Sequence, residues 1–385
     1  MNYRINSKNG DEISALAFGF MRVGRDENEI KKYLISAIDN GLNYIDTAYL
    51  YQNNETILGR ILQNGYREKV KIATKMPPFL VKKATDFDKI FNTELERLQT
   101  DYIDYYLIHM LPSASEWQRL ANLGVLDWIK AQKDKGAIKN IGFSYHGGFE
   151  KFTQIVDVYD WDFCQLQYNY FDENNQAGRK GIEHAAKKGL PIMVMEPLRG
   201  GTLANKLPKE AVAEFKLVNP EMSPAEWALR WVWNQPEILT VLSGMTSQEM
   251  VDENIRAASN IKPGALTEKE LDTYAKVKKI ILDSTNVGCT GCGYCMPCPQ
   301  GVDIPMCFTC YNDIKVESKS KGRLNYILRT TNHDASLCTK CGKCEKHCPQ
   351  GIKIREELEK TAKVMGAFPF ALIYKIMRNF MRQNH

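Results

Sequence analysis

Cysteine is the residue type whose spacing most clearly suggests chemistry in this chain of 385 residues. Ten of the eleven cysteines follow residue 285, and eight of them form two runs that each end in Cys-Pro. The first run contains Cys289, Cys292, Cys295 and Cys298. The second run contains Cys338, Cys341, Cys344 and Cys348. Thiolates at such short spacing are good ligands for zinc and for iron–sulfur clusters.

Iron–sulfur clusters explain the two runs better than zinc or disulfides do. The second run has the spacing of bacterial ferredoxins, in which three thiolates bind one [4Fe–4S] cluster and the fourth binds a neighbouring cluster. Structural zinc usually takes two separated CxxC pairs, and neighbours within a CxxCxxC run could form a disulfide only under strain. The last spacing of the first run is one residue shorter than in the second. We expect two [4Fe–4S] clusters as cofactors.

The proline after each fourth cysteine turns the chain away from its own run. With the ligand exchange of ferredoxins, Cys298 would join the first three cysteines of the second run, and Cys348 would join those of the first. Cys164 is interpreted as a core residue, and Cys307 and Cys310 as buried or spare thiols. The alternative for Cys307 and Cys310 is that one of them replaces a cluster ligand.

The composition argues against several classes of protein. A formal net charge of +5 with scattered Lys and Arg gives no concentrated basic surface for nucleic acid. No apolar run is long enough to span a bilayer, and the N-terminal residues lack the apolar core of a signal peptide. Thiolate clusters without an export signal are typical of a reducing compartment, so we expect a cytoplasmic protein.

Short apolar runs alternate with amphipathic segments over the first ~280 residues, which is the pattern of repeated β-α units. A hairpin is predicted at Asn9-Gly10, before the repeats. A doubly wound sheet usually carries Gly-x-Gly-x-x-Gly after a strand, and this chain has no such turn. The sequence therefore predicts a (β/α)₈ barrel. Its eight predicted strands are Leu16–Phe20, Tyr44–Asp46, Val70–Thr74, Tyr105–Ile108, Asn140–Phe143, Phe163–Tyr168, Pro191–Met195 and Leu239–Leu242.

The composition shifts to cysteine, glycine and proline after Ser284, which predicts a division of the chain. We expect the barrel in residues 1–283, a ferredoxin-like 4Fe–4S domain in residues 284–360, and an amphipathic tail in residues 361–385. The apolar part of this tail is too short to cross a bilayer. It is predicted to pack on the barrel or on a partner subunit, with binding to a membrane surface as the alternative.

Barrel enzymes carry their reactive groups at the C-terminal ends of the strands. In this chain those ends are Asp46, Lys75, His109, Ser144, Asn169, Glu196 and Ser243. The segments Asp46–Tyr51, Ala73–Lys75 and Leu107–His109 closely resemble the aldo/keto reductases. The resemblance runs from about Ala17 to about Asn254 and is to the branch with a C-terminal ferredoxin-like extension. It implies a catalytic tetrad of Asp46, Tyr51, Lys75 and His109.

The four side chains also suit carbonyl reduction on chemical grounds. A free phenol, with a pKa of about 10, is a poor proton donor near neutrality, and an adjacent ammonium favours the phenolate. Lys75 would therefore activate Tyr51 as the proton donor. Asp46 would keep the Lys75 ammonium charged and oriented, while His109 would orient the substrate oxygen or share its proton. Each residue alone could be a turn, core or surface residue, but four at three consecutive strand ends favour one site.

The resemblance also implies a nicotinamide cofactor, NADP or NAD. Ser144 and Gln165 correspond to contacts of the carboxamide, and Met195 takes the place of an aromatic residue that usually stacks on the ring. The basic residues that often bind the 2′-phosphate correspond to Gly244 and Met250, so both cofactors stay open, with Arg256 as a substitute cation. The other cofactor-binding residues that the resemblance implies are Gly19, Met21, Asp46, Ser243, Gly244, Met245, Glu253 and Asn254.

Three functions are compared. In the first, the protein reduces a small aldehyde or ketone (or oxidises the alcohol) with NAD(P)H, and the clusters stabilise the small domain. In the second, the clusters exchange electrons with a ferredoxin-like partner. In the third, the barrel binds nucleotide as a sensor with little turnover. The complete tetrad argues against the third function. Because nicotinamide accepts single electrons poorly and no flavin motif is visible, we expect the first function rather than the second.

Overall fold

The computed structural model describes residues 1–51, 53–316, 318–330 and 332–367, apart from the side chain of Val316. The chain divides into two compact units. The first unit contains residues 1–198 and 222–268, and the second contains residues 199–221 and those from 269 onward. The predicted domain boundary between residues 283 and 284 stays a prediction. Residues 368–385, which make up most of the predicted amphipathic tail, lie outside the described residues.

A closed barrel of eight parallel strands forms the first unit, which confirms the predicted (β/α)₈ fold. An antiparallel hairpin of β1 (Tyr3–Ile5) and β2 (Glu12–Ser14) precedes it and turns through Gly10, whose φ is 79°. Each barrel strand pairs with the next along the chain, and the last pairs with the first. The barrel strands are β3 (Leu16–Gly19), β4 (Tyr44–Asp46), β5 (Lys71–Met76), β6 (Ile103–Ile108), β7 (Ile138–Tyr145), β8 (Phe163–Gln167), β9 (Ile192–Met195) and β10 (Ile238–Ser243).

Helices follow the barrel strands and also build the second unit, to which α8, α9 and nearly all of α12–α15 belong. The helices in the described residues are α1 (Glu27–Asp39), α2 (Asn54–Ile61), α3 (Thr85–Leu98), α4 (Ala114–Asn122), α5 (Val125–Asp134), α6 (Phe149–Asp157), α7 (Gly178–Lys187), α8 (Thr202–Asn205), α9 (Lys209–Val218), α10 (Pro224–Trp233), α11 (Gln248–Ser259), α12 (Glu268–Asp283), α13 (Ile304–Val316), α14 (Lys319–Thr330) and α15 (Ile354–Met365).

Local sequence signals set several helix ends. The Asp26 side chain accepts hydrogen bonds from two backbone N–H groups in the first turn of α1, and Gly41 follows the end of this helix with a φ of 93°. Ser223 caps α10 by accepting from the Glu226 N–H, and Pro224 is the first helical residue. A cap of this kind stabilises a helix by about 1 kcal/mol, because it satisfies an N–H group that has no partner inside the helix.

Aromatic side chains fill part of the barrel interior. The ring centroid of Tyr105 lies 5.1 Å from that of Tyr44 and 5.0 Å from that of Phe163. The Tyr105 hydroxyl donates to Asp11 Oδ2 at 2.7 Å, next to the N-terminal hairpin. This packing occupies the N-terminal side of the barrel. The polar side chains of the strand ends lie at the opposite side, where barrel enzymes carry their chemistry.

The second unit has an apolar core of its own. Val302, Phe308 and Tyr326 are buried there. Cys307 and Cys310 also belong to this core, which agrees with their interpretation as buried thiols. The two cysteine runs lie in the segments between α12 and α13 and between α14 and α15. Among the described residues, none of the helices combines the length and the apolar character that crossing a membrane requires.

Helix α2 approaches the end of α3 closely at Gly59. A Cβ atom there would lie 2.4 Å from the Arg97 carbonyl oxygen and 2.6 Å from the Leu98 carbonyl carbon. Because these are backbone atoms, Gly59→Ala is expected to lower the free energy of unfolding by about 1–3 kcal/mol. Urea unfolding followed by circular dichroism measures this loss. Gly24→Ala, where the nearest atom would be 3.9 Å away, is the control. Equal losses in both variants would contradict the prediction.

Candidate active site and iron–sulfur sites

The four residues of the predicted tetrad converge at the C-terminal ends of β4, β5 and β6. Asp46 ends β4, Lys75 lies near the end of β5, and His109 follows β6. Lys75 Nζ donates to Asp46 Oδ1 and to the Thr47 carbonyl, both at 2.6 Å. It lies 5.0 Å from the centroid of the Tyr51 ring. The Tyr51 and His109 rings meet edge to face with centroids 5.8 Å apart.

Burial opposes ionisation throughout this site, and charge pairing compensates for part of it. Burial lowers the pKa of Lys75, and the adjacent Asp46 carboxylate raises it again. Burial raises the pKa of Asp46, and Lys75 lowers it. His109 lacks such a compensating anion: burial, Lys75 and His146 all lower its pKa, to well below the ordinary value. His109 is therefore a neutral imidazole at neutral pH, with one ring N–H to donate.

Several buried polar atoms at the strand ends are suited to a nicotinamide and a carbonyl group. Asp46 Oδ2, His109 Nδ1 and Gln165 Oε1 have no hydrogen-bond partner among the described residues. Gln165 Nε2 lies 3.6 Å from Met195 Sδ, so Gln165 Oε1 can accept from a carboxamide N–H. Ser144 Oγ accepts from the Met110 N–H at 2.7 Å and keeps its own hydrogen for an acceptor such as the carboxamide oxygen.

The residues expected at the pyrophosphate end lie together where β10 meets β3. A Cβ atom on Gly19 would lie 3.5 Å from the Ser243 carbonyl, and one on Gly244 would lie 3.8 Å from the Gly19 oxygen. Asn254 Nδ2 donates to Ser243 Oγ at 3.1 Å. The N-terminus of α11, capped by Ser247, is of the kind that favours an anion.

The remaining residues predicted to bind the cofactor are either buried, hydrogen-bonded within the protein or largely exposed. The Met245 side chain is fully buried, so this residue could contact a cofactor through its backbone. The Glu253 carboxylate accepts a short hydrogen bond from the Ser223 hydroxyl, which ties it to the cap of α10. The Met21 carbonyl accepts from Asn54 Nδ2 at 2.9 Å. Arg256 has a side chain 68% exposed, with a guanidinium 4.0 Å from Glu226.

The eight cysteines of the two runs line two cavities in the second unit. One cavity is lined by Cys289, Cys292, Cys295 and Cys348. The other is lined by Cys338, Cys341, Cys344 and Cys298. Each cavity thus takes three cysteines from one run and the fourth from the other, which is the arrangement that ligand exchange requires.

The model of the aldo/keto reductase family matches residues 15–278. This chain belongs to the aldo/keto reductase family. A second family model, for a 4Fe–4S dicluster domain, matches residues 288–353, which contain both cysteine runs. The two matches account for the barrel and for the cysteine-rich segment of one polypeptide.

Relatives of this aldo/keto reductase resemble its barrel. The chain is 27% identical over 263 residues to methylglyoxal reductase YeaE of Escherichia coli. This match covers 64% of this chain and 86% of the relative. It is 25% identical over 266 residues to the NADH-specific methylglyoxal reductase of the same species, with 57% and 79% covered. A crystal structure of an aldo-keto reductase from Klebsiella pneumoniae in complex with NADPH has the same fold, with a TM-score of 0.59, 22% identity, and 72% and 96% covered.

A partly buried polar network near His109 gave no signal in the sequence. The Gln176 amide donates a short hydrogen bond to Gln167, and Gln167 donates to Asp172 Oδ2 at 2.9 Å. Gln176 is also hydrogen-bonded to His146, whose pKa burial lowers to about 4. His146 is therefore a second neutral imidazole near His109. No sequence signal connects these residues, since His146 follows β7, Gln167 ends β8, and Asp172 and Gln176 lie in the segment after β8.

The cavity lined by Cys289, Cys292, Cys295 and Cys348, here called the first-run cavity, also contains polar groups that could interact with an iron–sulfur cluster. Thr290, which is 5% exposed, lines this cavity, and its hydroxyl has no partner among the described residues. It can donate to a cluster sulfur, as hydroxyl and amide groups do in iron–sulfur proteins. Arg199 donates to the Gly288 carbonyl at 2.9 Å, and its charge opposes the burial that raises the pKa of Cys289 to about 11. A buried cation beside Cys289 favours the thiolate that iron requires.

Cys298→Ser is expected to disturb the cluster of the second run, although Cys298 belongs to the first. The physical reason is that the variant removes the fourth thiolate of the cavity lined by Cys338, Cys341 and Cys344. Iron and acid-labile sulfide content of anaerobically purified protein, with electron paramagnetic resonance of the reduced clusters, measures the effect. Cys348→Ser is the matched variant and should disturb the other cluster. Loss of the same cluster signal in both variants would contradict the exchange.

Proposed function

We propose that this aldo/keto reductase catalyses the NAD(P)H-dependent reduction of a small aldehyde or ketone, or the reverse oxidation of the alcohol. The proposal depends chiefly on the buried ion pair of Lys75 and Asp46, with its ammonium 5.0 Å from the centroid of the Tyr51 ring. An ammonium in this position favours the ionised phenol, so it allows Tyr51 to give up a proton near neutral pH.

Each residue of the tetrad has a separate task in this mechanism. Reduced nicotinamide, when bound, supplies the hydride. Tyr51 donates its proton to the oxygen of the developing alkoxide, and Lys75 stabilises the phenolate that remains. Asp46 keeps the ammonium oriented through the 2.6 Å hydrogen bond. The neutral His109 orients the carbonyl oxygen through a ring N–H, since burial keeps it from carrying a charge of its own.

The cofactor is proposed to lie with its carboxamide against Ser144 and Gln165 and its ring beside Met195. Where a 2′-phosphate would need a cation, this chain has Gly244 and Met250, and Arg256 is mostly exposed and shares Glu226. We therefore propose that NADH is accepted as well as NADPH. Both possibilities have precedent, because one relative is named an NADH-specific reductase and one structural neighbour binds NADPH.

The clusters are proposed to stabilise the second unit, in a protein of the reducing cytoplasm, where thiolate ligands persist. One observation favours electron exchange with a ferredoxin-like partner as the second candidate. Cys341, at the edge of the second-run cavity, is exposed to solvent. An exposed cluster edge would allow electron transfer at a protein surface. Turnover with reduced ferredoxin and a carbonyl substrate, in the absence of NAD(P)H, distinguishes this candidate from the first.

Tyr51→Phe is expected to lower carbonyl reduction by at least about 10²-fold, the usual scale for loss of an acid–base group. Cofactor binding should persist, because the variant keeps the aromatic ring and removes only the hydroxyl. The oxidation of NADH and NADPH by methylglyoxal and a panel of aldehydes measures the rate, and nucleotide fluorescence measures binding. Methylglyoxal is the first test substrate because two relatives are named for its reduction.

Tyr66→Phe is the control for this experiment. The Tyr66 hydroxyl lies near the surface and donates to Asp39 at 3.1 Å, away from the tetrad. The control should retain the wild-type rate. Near wild-type turnover of any aldehyde by Tyr51→Phe would show that Tyr51 is not the proton donor.

A further inference from the structure

Two buried carboxyl groups lie behind Lys75, and the mechanism above does not use them. Glu55 is in the first turn of α2 and Glu94 is in α3, and their exposed fractions are 1% and 0%. Both approach Thr74, the residue before Lys75 in β5. Because successive residues of a strand face opposite sides, Lys75 faces the tetrad while Thr74 faces the two helices.

Hydrogen bonds connect the two carboxyl groups. Thr74 Oγ1 lies 2.6 Å from Glu55 Oε1 and 3.4 Å from Glu94 Oε1. The Tyr106 hydroxyl donates to Glu94 Oε2 at 2.6 Å. Arg97 donates to Glu55 Oε2 at 3.0 Å, forming an ion pair. Among the described residues, the Thr74 hydroxyl is therefore the group that bridges the two acids.

The number of hydrogens determines which acid carries a proton. The Thr74 hydroxyl has one hydrogen, and the shorter contact assigns it to Glu55, whose charge Arg97 balances. The Glu94 oxygen at 3.4 Å would then face an oxygen lone pair of Thr74. Two acceptors without a hydrogen between them repel each other. A protonated Glu94 removes this conflict by donating to Thr74.

We propose that Glu94 is a neutral carboxylic acid that donates through Thr74 to ionised Glu55, and that this chain of hydrogen bonds holds Tyr51 against Lys75. The second half of the proposal rests on the proposed role of Tyr51. Glu55 and Glu94 are positioning residues, since they lie on the helix side of β5 and act through Thr74 and the start of α2.

Hydrogen bonds before and after Tyr51 hold the turn that contains it. Before Tyr51, the Tyr49 carbonyl accepts from Arg97 at 3.2 Å, and the Arg97 guanidinium lies 4.5 Å from the centroid of the Tyr49 ring. After it, the Asn54 N–H donates to the Tyr51 carbonyl at 3.0 Å, and Glu55 follows directly in α2. A shift of α2 away from Thr74 would therefore move Tyr51 relative to the tetrad.

The surrounding charges support a proton on Glu94. Burial raises the pKa of Glu94 well above its ordinary value, and the charge of Glu55 adds to this, while the hydrogen bond from Tyr106 opposes it. Burial also raises the pKa of Glu55, but hydrogen bonds from Thr74 and Arg97 lower it. The groups that contact the pair are Arg97 from α3, Thr74 from β5 and Tyr106 from β6, and the charge of Lys75 acts on the pair through β5. The negative charge of the pair in turn raises the pKa of Lys75 against burial.

Glu94→Gln tests the protonation state, because it keeps the shape and the neutral charge but removes the carboxylic acid. The infrared spectrum of the whole protein at neutral pH should contain the carbonyl band of a protonated acid, which the variant lacks. Glu96→Gln, at an exposed position of α3, is the matched control and should keep the band. A band that persists in Glu94→Gln would overturn the assignment.

The pH dependence of stability gives an independent measurement. With its pKa raised in the folded state, Glu94 keeps a proton that the unfolded chain loses above about 4.5, the ordinary value. The free energy of unfolding of the wild type should therefore fall relative to that of Glu94→Gln as the pH rises above this value, until Glu94 ionises in the folded protein. An identical pH dependence in both proteins would overturn the proposal.

Glu94→Leu tests the positioning role, because it removes the hydrogen bond to Thr74. Its kcat for methylglyoxal with NADPH should fall roughly 10- to 100-fold while the cofactor Kd stays nearly constant, since small displacements of catalytic groups have effects of this size. Glu94→Gln should restore most of the loss. In a crystal structure of Glu94→Leu, the distance from Lys75 Nζ to the Tyr51 ring should exceed the 5.0 Å of the wild type.

An unchanged distance together with an unchanged kcat in Glu94→Leu would overturn the positioning role. Failure of the wild type to reduce any carbonyl is a different result, because it would contradict the proposed function. In that case the infrared spectra, the unfolding measurements and the crystal structure of Glu94→Leu would still decide whether the acid pair is protonated and whether it positions Tyr51.

Discussion

The buried ion pair of Lys75 and Asp46 is the interaction on which the active site depends. Removing an ammonium from water costs several kcal/mol even after relaxation, so its partners have to be close and well oriented. Here the Asp46 carboxylate and the Thr47 carbonyl lie 2.6 Å from Nζ. Both partners come from β4 and its first following residue, so the pairing of Asp46 with Ala73 in β5 is tightly constrained. A slip by one residue would turn Lys75 to the helix side and leave Asp46 without its cation.

Strand β5 separates two groups of charges, each of which contains its own ion pair. On the barrel side, Lys75 is neutralised by Asp46. On the helix side, Glu55 is neutralised by Arg97, and the neutral form of Glu94 avoids a second uncompensated anion. Each side thus keeps its buried net charge near zero, which limits the cost of burial. Since Tyr51 lies in the turn between β4 and α2, its position depends on both sides of this strand.

Features encoded by local patterns could be predicted from the sequence, and those that depend on distant packing could not. The barrel strands follow from apolar runs that end in polar residues, and the cysteine sets follow from spacing and from the Cys-Pro endings. Glu94 gave no such signal, because a glutamate in an amphipathic helix usually faces water. Arg199 lies 89 residues before Gly288, so its contact beside the cysteine site depends on the fold. His146 and Gln176 likewise meet only through loop conformations, which at Gln176 include a φ of 56°.

The cysteine-rich unit couples metal ligation to packing. The ligand candidates Cys298 and Cys348 pack against the core that contains Phe308 and Ile354, so the cavities and the core share walls. Because each cavity takes cysteines from both runs, a cluster in either one would connect segments that α13 and α14 separate in the chain. Free energy of cluster binding would then also be free energy of folding for this unit. A stabilising role would therefore follow from the predicted exchange of ligands itself, and electron transfer would require the exposed edge at Cys341 in addition.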